Sequence, residues 1–263
     1  MSILEQYRLD GRVAVVTGSG QGIGRGIAWA LADAGADVVL NARRVPDLEQ
    51  TAAGVESRGR RALIVDGDIR DFSDVLAERT IAEFGRLDIW VNNVGGSDEN
   101  DVHLLVDTPD DIFRSQLELN LTSAFQGARA AAAHFGDEGV IVNITSGAGT
   151  RGSPYTGPYA AAKAGLINLT QTLALELAER GVRVNAVSPG PVPTEAYLEV
   201  LGVEDELDAL TRTIPLGRLG TPDDIASAVL YLASPAASWV TGQHLLVAGG
   251  RTQRSYQYKP KQH

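Results

Sequence analysis

The sequence predicts an α/β protein built on one open sheet of seven parallel strands, with helices covering both faces as the outer layers of a three-layer, doubly wound fold. Two observations predict it. Short β-branched runs recur along the chain, and each is followed by a longer, alanine-rich segment with helical spacing, the alternation of a parallel sheet buried on both sides. No Gly/Ser-rich linker, repeat or break in composition divides the 263 residues, and chains of this class use about 250 residues as one unit. Residues 1–263 are therefore expected to form a single domain, with 10–250 as its body.

The strands are expected at 13–17, 37–41, 62–65, 87–92, 140–145, 183–187 and 244–247. Between them the 3.6-residue spacing predicts helices over 23–34, 47–58, 72–84, 109–135, 155–180 and 222–233. Two stretches break the alternation. Residues 191–215 carry three prolines and the acids Glu195, Glu199, Glu204, Asp205, Glu206 and Asp208, and a long insertion at the carboxyl end of a strand is where such sheets bind ligands. That makes 191–215 the expected substrate loop, its acidic residues read as a solvated face. The tail 251–263, RTQRSYQYKPKQH, is polar and basic and reads as disordered or docked on a neighbouring subunit.

Composition removes several classes of function. A net charge of −10 opposes binding to a phosphate backbone or an anionic membrane, which depends on clustered Lys and Arg. With no cysteine there are no disulfides, thiolate nucleophiles or cysteine zinc sites, and a reducing compartment, the cytoplasm, is the expected location. The start, MSILEQYRLDGR, lacks an apolar run of signal-peptide length. His103, His134, His244 and His263 show no metal-ligand spacing, so no metal is expected. The run Thr221-Pro222-Asp223-Asp224 reads as a helix cap rather than a carboxylate site.

After the first strand comes Thr17-Gly18-Ser19-Gly20-Gln21-Gly22-Ile23-Gly24, followed by a helical run. Glycines let a backbone approach a pyrophosphate, and the unpaired N–H groups and dipole of a helix start hold it. The glycines read G-x-x-x-G-x-G (Gly18, Gly22, Gly24) rather than G-x-G-x-x-G. That variant resembles the short-chain dehydrogenase/reductase family, a Rossmann-type fold, and further marks follow in order over residues 10 to 250. The resemblance implies that Ser19, Gln21 and Ile23 join the glycines at a dinucleotide. It also implies that Asp68-Ile69 binds the adenine ring and that Asn92-Asn93-Val94-Gly95, with Val94 in place of the usual Ala, contacts the adenine ribose. Pro189-Gly190, with Val192 and Thr194 in the same P-G-x-x-x-T run, completes the expected cofactor set.

Tyr159 and Lys163 stand four apart on an expected helix, so both project from one face. A phenol is a poor base at neutral pH, but a nearby ammonium favours the phenolate. Only three of the 23 basic residues are lysine, and the other two, Lys259 and Lys261, lie in the tail; the single lysine in the body sits where this chemistry needs one. Ser146, at the end of the fifth strand, can donate to a substrate carbonyl while Tyr159 protonates it. Asn120 is a polar residue in an apolar helical stretch and needs a partner if buried. The resemblance makes Asn120, Ser146, Tyr159 and Lys163 the catalytic group, with Asn120 holding a water in a proton relay through the lysine.

The second strand ends Asn41-Ala42-Arg43-Arg44. Ala42 replaces the acid that would bind ribose hydroxyls, and Arg43 suits a 2′-phosphate. NADP(H) is expected, with NAD(H) the alternative. The expected activity is hydride transfer between the nicotinamide and a secondary alcohol or ketone, a neutral, fairly apolar small molecule given Tyr155, Tyr197, Leu198 and Leu201 in the expected lining; residues 92–96 and 234–240 resemble hydroxysteroid and cyclic-alcohol dehydrogenases of the family, which implies a cyclic or hydroxysteroid-like substrate. An acyl-carrier-protein ketoreductase and a non-catalytic dinucleotide-binding module are the alternatives. Nucleotide-sugar epimerases differ in glycine spacing, and enoyl reductases of this fold space Tyr and Lys further apart. Alanine-rich helices 109–135 and 155–180, apolar over more of their circumference than one sheet face can cover, predict an oligomer; the resemblance implies pairing through these helices and a second interface from 222–233 and 244–247, hence a homotetramer.

Overall fold

The computed structural model describes residues 2–97, 99–194 and 204–251. Its seven strands are β1 Val13–Thr17, β2 Asp37–Asn41, β3 Ala62–Ile64, β4 Ile89–Asn92, β5 Gly139–Ile144, β6 Val182–Pro189 and β7 His244–Val247. All pair in parallel, in the order β3-β2-β1-β4-β5-β6-β7. The chain runs outward from β1 to β3 and then returns to β4 at the other side of β1. A crevice therefore opens where the strand order reverses, at the carboxyl ends of β1 and β4.

Helices α1 Gly22–Asp33, α2 Val45–Glu56 and α8 Pro222–Ala233 cover one face; α3 Ser73–Phe84, α5 Ser123–His134 and α6 Gly157–Leu177 cover the other. Alternation within β1 feeds both layers. Ala14 and Val16 pack with Ile27, Leu31, Val229 and Leu232, while Val13 and Val15 pack with Leu76, Ala128 and Trp90. A buried polar ladder ties β4, β5 and α6 together: Trp90 Nε1 donates to Asn92 Oδ1 (2.7 Å), Asn92 Nδ2 to Asn143 Oδ1 (2.9 Å), and Asn143 Nδ2 to Thr170 Oγ1 (2.9 Å). Each of these groups finds a partner, so the ladder fixes strand and helix without an orphaned donor. The Thr221 run is a capping box at α8: Asp224 N donates to Thr221 Oγ1 and Thr221 N to Asp224 Oδ2.

Three elements differ from the sequence expectation. The helix over 109–135 is α4 Asp110–Leu117 and α5 joined by a π turn at Glu118–Thr122, where Ser123 N donates to Glu118 O five residues back. Apolar spacing cannot register a one-residue widening of a turn. The helix expected from 155 starts at Gly157, with Pro158 in its first turn, because Tyr155 is held at a left-handed φ of 67°. Within 191–215 a short helix, α7 Glu204–Thr211, forms and buries Leu210, and the stretch after it buries Ile214, with Leu216 N donating to Gly249 O at 3.0 Å. Glu195, Tyr197, Leu198, Glu199 and Leu201, and the tail beyond Arg251, lie outside the described residues. Among the described residues no helix is long and apolar enough to cross a membrane.

Candidate active site

The glycine turn sits at the crevice. Gly18 and Gly22 take left-handed φ values of 63° and 52°, which favour glycine at no steric cost. A Cβ on Gly24 would lie 2.1 Å from Gly18 O, so the first turn of α1 rests directly on the loop. Asn93 braces it, with Nδ2 donating to Thr17 O (3.0 Å) and Gly18 O (3.1 Å), while the amides of Asn93 and Val94 donate to Thr17 Oγ1. Ser19 is fully buried and its amide donates to Asn41 O at 3.0 Å. The start of α1 carries no acidic residue in its first turn. This is a cradle of backbone amides with room for no side chain at Gly24, and it fits the pyrophosphate of a dinucleotide.

The remaining residues expected at a cofactor divide into two kinds. Ile23, Ile69, Val94 and Val192 direct their side chains into the core, which leaves their backbone as what they present. Gln21 precedes α1 in an extended conformation. Gly190 closes against β7, its amide donating to Val247 O at 2.8 Å, and Thr194 N donates to Val192 O. Asp68 is gripped by Arg70, whose Nε and Nη2 donate to it at 3.0 and 2.6 Å. That pairing, with the Arg43 charge nearby, holds the carboxyl below its ordinary range. Arg43 itself is exposed at the end of β2.

Asn120, Ser146, Tyr159 and Lys163 converge beside this crevice. Lys163 is 2% exposed and its Nζ donates to Ile144 O at 3.0 Å, 5.8 Å from the centre of the Tyr159 ring. Burial pushes its pKa down to about 8. Gly95 makes this possible: a Cβ there would lie 2.6 Å from Lys163 Nζ and 2.7 Å from Asn120 Oδ1. Asn120, fully buried in the π turn, accepts from Gly96 N at 2.8 Å and donates to Gly96 O, Gln116 O and Gln116 Oε1. Ser146 Oγ accepts from Ala148 N at 3.1 Å and hydrogen-bonds the Tyr159 phenol.

The phenol itself is shifted upward, not down. Burial raises it and the Ser146 bond pulls it partly back, because desolvation acts at the hydroxyl while the ammonium is aimed at the Ile144 carbonyl. Spacing alone also gave no sign of Gly149, where a Cβ would meet Lys163 C at 2.7 Å. Gly149 lets the 146–150 turn lie on α6. The isolated G-x-G of Gly147-Ala148-Gly149 was the available signal.

Comparison with known proteins places this geometry among enzymes. A family model described as enoyl-(acyl carrier protein) reductase matches residues 18–252. An uncharacterized oxidoreductase of Mycobacterium tuberculosis is 42% identical over 257 residues, covering 95% of each chain. A 3beta-hydroxysteroid dehydrogenase of Eggerthella lenta is 38% identical over 255 residues, covering 93% of this chain and 95% of its own. The solved structure of a 7alpha-hydroxysteroid dehydrogenase complexed with NADH and 7-oxo glycochenodeoxycholic acid superposes with a TM-score of 0.90 at 36% identity, over 97% of this chain and 99% of the other.

The Lys163 burial has a measurable cost. A lysine whose pKa falls from 10.5 to about 8 on folding opposes folding at neutral pH by roughly 3 kcal/mol. Lys163→Met removes that charge and leaves Ile144 O without its donor, which gives back about 1–2 kcal/mol. The variant should therefore be more stable than the parent at pH 7, by about 1–2 kcal/mol in urea unfolding. Between about 8 and 10.5 the unfolded parent holds a proton that the folded parent has released, so parental stability rises with pH. The advantage of the variant should shrink by pH 10. A variant less stable at pH 7 would contradict the buried-charge account.

Proposed function

Because the chain belongs to the short-chain dehydrogenase/reductase family, an oxidoreductase family acting on CH–OH groups and binding NAD(P)(H), we propose that it interconverts a neutral, cyclic or hydroxysteroid-like secondary alcohol and its ketone with NADP(H). The observation that carries this reading is the contact of Ser146 with the Tyr159 phenol beside the buried Lys163 ammonium. A nicotinamide held in the crevice would supply the hydride chemistry. The chain's own residues handle the proton. In the reducing direction Tyr159 Oη delivers it to the carbonyl oxygen while Ser146 Oγ donates a hydrogen bond to the same oxygen, stabilising the charge that develops there. Lys163, reached through Asn120 and its water, returns a proton to the phenol. The burial that raises the phenol keeps it protonated and ready to donate at neutral pH.

Gly18, Gly22, Gly24 and the start of α1 would hold the pyrophosphate, with Ser19, Gln21, Ile23, Asp68, Ile69, Asn93, Val94, Gly95, Pro189, Gly190, Val192 and Thr194 around the rest. Arg43, exposed beside Asp68, would meet the 2′-phosphate. The similarity to hydroxysteroid dehydrogenases that act at two different ring positions supports the class of substrate rather than one site of attack. An acyl thioester is the second reading, favoured by the description of the matching family model.

A homotetramer is the proposed assembly. The outer faces of α5 and α6 leave an apolar groove lined by Leu121, Phe125, Gly165 and Leu169, and Leu175 stands exposed beside it. Near α8 and β7, Trp239 is 100% exposed and Leu245 partly so, which supplies a second apolar patch. Two such patches suit two two-fold axes. A chain without cysteine suits the cytoplasm, the proposed location.

Three measurements test these readings. A panel of steroids, cyclic alcohols and acyl thioesters, followed by nicotinamide absorbance, should show turnover of a neutral hydroxysteroid or another cyclic alcohol or ketone; Tyr159→Phe should then keep cofactor affinity and lose all but a few per cent of the rate. Arg43→Asp should weaken NADP(H) at least about tenfold and spare NAD(H), since the carboxylate repels the phosphate; an unchanged affinity ratio removes Arg43 from the site. Light scattering should give four times the 27.8 kDa chain mass; a value near one chain rejects the assembly, and a value near two leaves one patch unpaired.

A further inference from the structure

Gln116 lies one helical turn before Asn120 and is 4% exposed. Its two amide atoms face different partners. Nε2 donates to Asp101 Oδ2 at 2.7 Å, and Oε1 accepts from Asn120 Nδ2 at 3.0 Å. Asp101 closes the short 3₁₀ turn Glu99–Asp101 in the connection after β4. Two residues later the same connection is pinned to the segment before α6, with His103 N donating to the carbonyl of Tyr155, the residue held at φ 67°. We propose that Gln116 is a positioning residue: it bridges Asp101 to the Asn120 amide and so couples the 96–107 connection to the proton relay. This rests on the role given above to Asn120.

The argument is one of donor and acceptor direction. A side-chain amide can be turned by half a rotation with little change in shape, so packing does not fix which end is which. An ionised carboxylate only accepts. Asp101 therefore requires Nε2 of Gln116 and turns Oε1 toward Asn120. The Asn120 amide independently presents Nδ2 on that side, because Nδ2 also donates to Gly96 O and Gln116 O while Oδ1 accepts from Gly96 N at 2.8 Å. Turned the other way, Gln116 Nε2 would oppose Asn120 Nδ2, donor against donor. Gln116 thus fits both neighbours in one direction only, and the contacts run from one carboxylate through two amides to the backbone of Gly96, next to the glycine that touches both Lys163 Nζ and Asn120.

Exchanging the two chemistries tests the proposal without changing the shape. Gln116→Glu sets two carboxylates against each other. Combined with Asp101→Asn, it rebuilds the bridge, an amide at 101 now donating to a carboxylate at 116 that accepts from Asn120. Two readouts are taken: hydrogen exchange at the Gly96 amide, which needs no substrate, and steady-state rates with the panel ketone that the parent turns over fastest. Gln116→Glu should speed Gly96 exchange and lower kcat, each about tenfold, with KM within about twofold. The double variant should return both to within about threefold of the parent. A double variant no better than Gln116→Glu overturns the proposal. Asn120→Leu separates the two layers: parental rates in that variant overturn the Asn120 role and this inference together, whereas a slow Asn120→Leu beside an unrescued double variant overturns only the part assigned to Gln116.

Discussion

A positive charge held out of water governs the arrangement around the candidate site. Lys163 is almost fully enclosed, and an enclosed ammonium must find acceptors or lose its proton. It finds Ile144 O, at the end of β5. The neighbouring residues are small where they meet it: Gly95 at its nitrogen and Gly149 at its backbone admit no Cβ. Among the described residues no carboxylate acts on it, and burial alone sets the direction of its pKa. The protein thus keeps a strained charge rather than neutralising it with an acid. A carboxylate there would hold the ammonium tightly and leave it less able to exchange a proton with the phenol.

That charge needs a rigid floor, and the sheet supplies it. Asn92, Asn143 and Thr170 link β4, β5 and α6 through buried hydrogen bonds, so the helix carrying Tyr159 and Lys163 is registered against the strand whose end offers Ile144 O. Thr17 and Asn93 do the same between β1 and β4. The glycine cradle and the lysine pocket therefore share one strand, β4, and its exit Asn93-Val94-Gly95-Gly96 touches both. Distortion at that exit would be felt in two places at once.

The strands and most helices were legible because their signals are local: β-branched runs, a period of 3.6, glycine after a strand. Of the four candidate catalytic residues, Tyr159 and Lys163 were legible through spacing and Asn120 and Ser146 through the family resemblance, and the structure does bring all four to one place. What escaped depends on contacts distant in sequence. The π turn at Glu118–Thr122 widens a helix by one residue without changing its composition. Tyr155 has a left-handed φ that no propensity favours for a large side chain. α7 carries mostly acids and leucines, and its Leu210 and the following Ile214 are buried by tertiary packing alone. The direction of the phenol shift was misjudged because a charge nearby in sequence was weighed without the desolvation that accompanies it.

The distribution of basic residues follows from the same constraint. Arginine cannot release its proton and presents a planar fork of donors, which suits ion pairs such as Arg70 with Asp68 and Arg218 with Asp224. Lysine is compact, carries its charge on one atom and loses its proton when desolvated. A pocket closed by Gly95 and Gly149 has no width for a guanidinium, and a permanently charged group there could not take part in proton exchange. Arginine everywhere else and one lysine in the folded body is therefore the composition expected of a chain whose surface needs fixed charges and whose interior needs a single movable one.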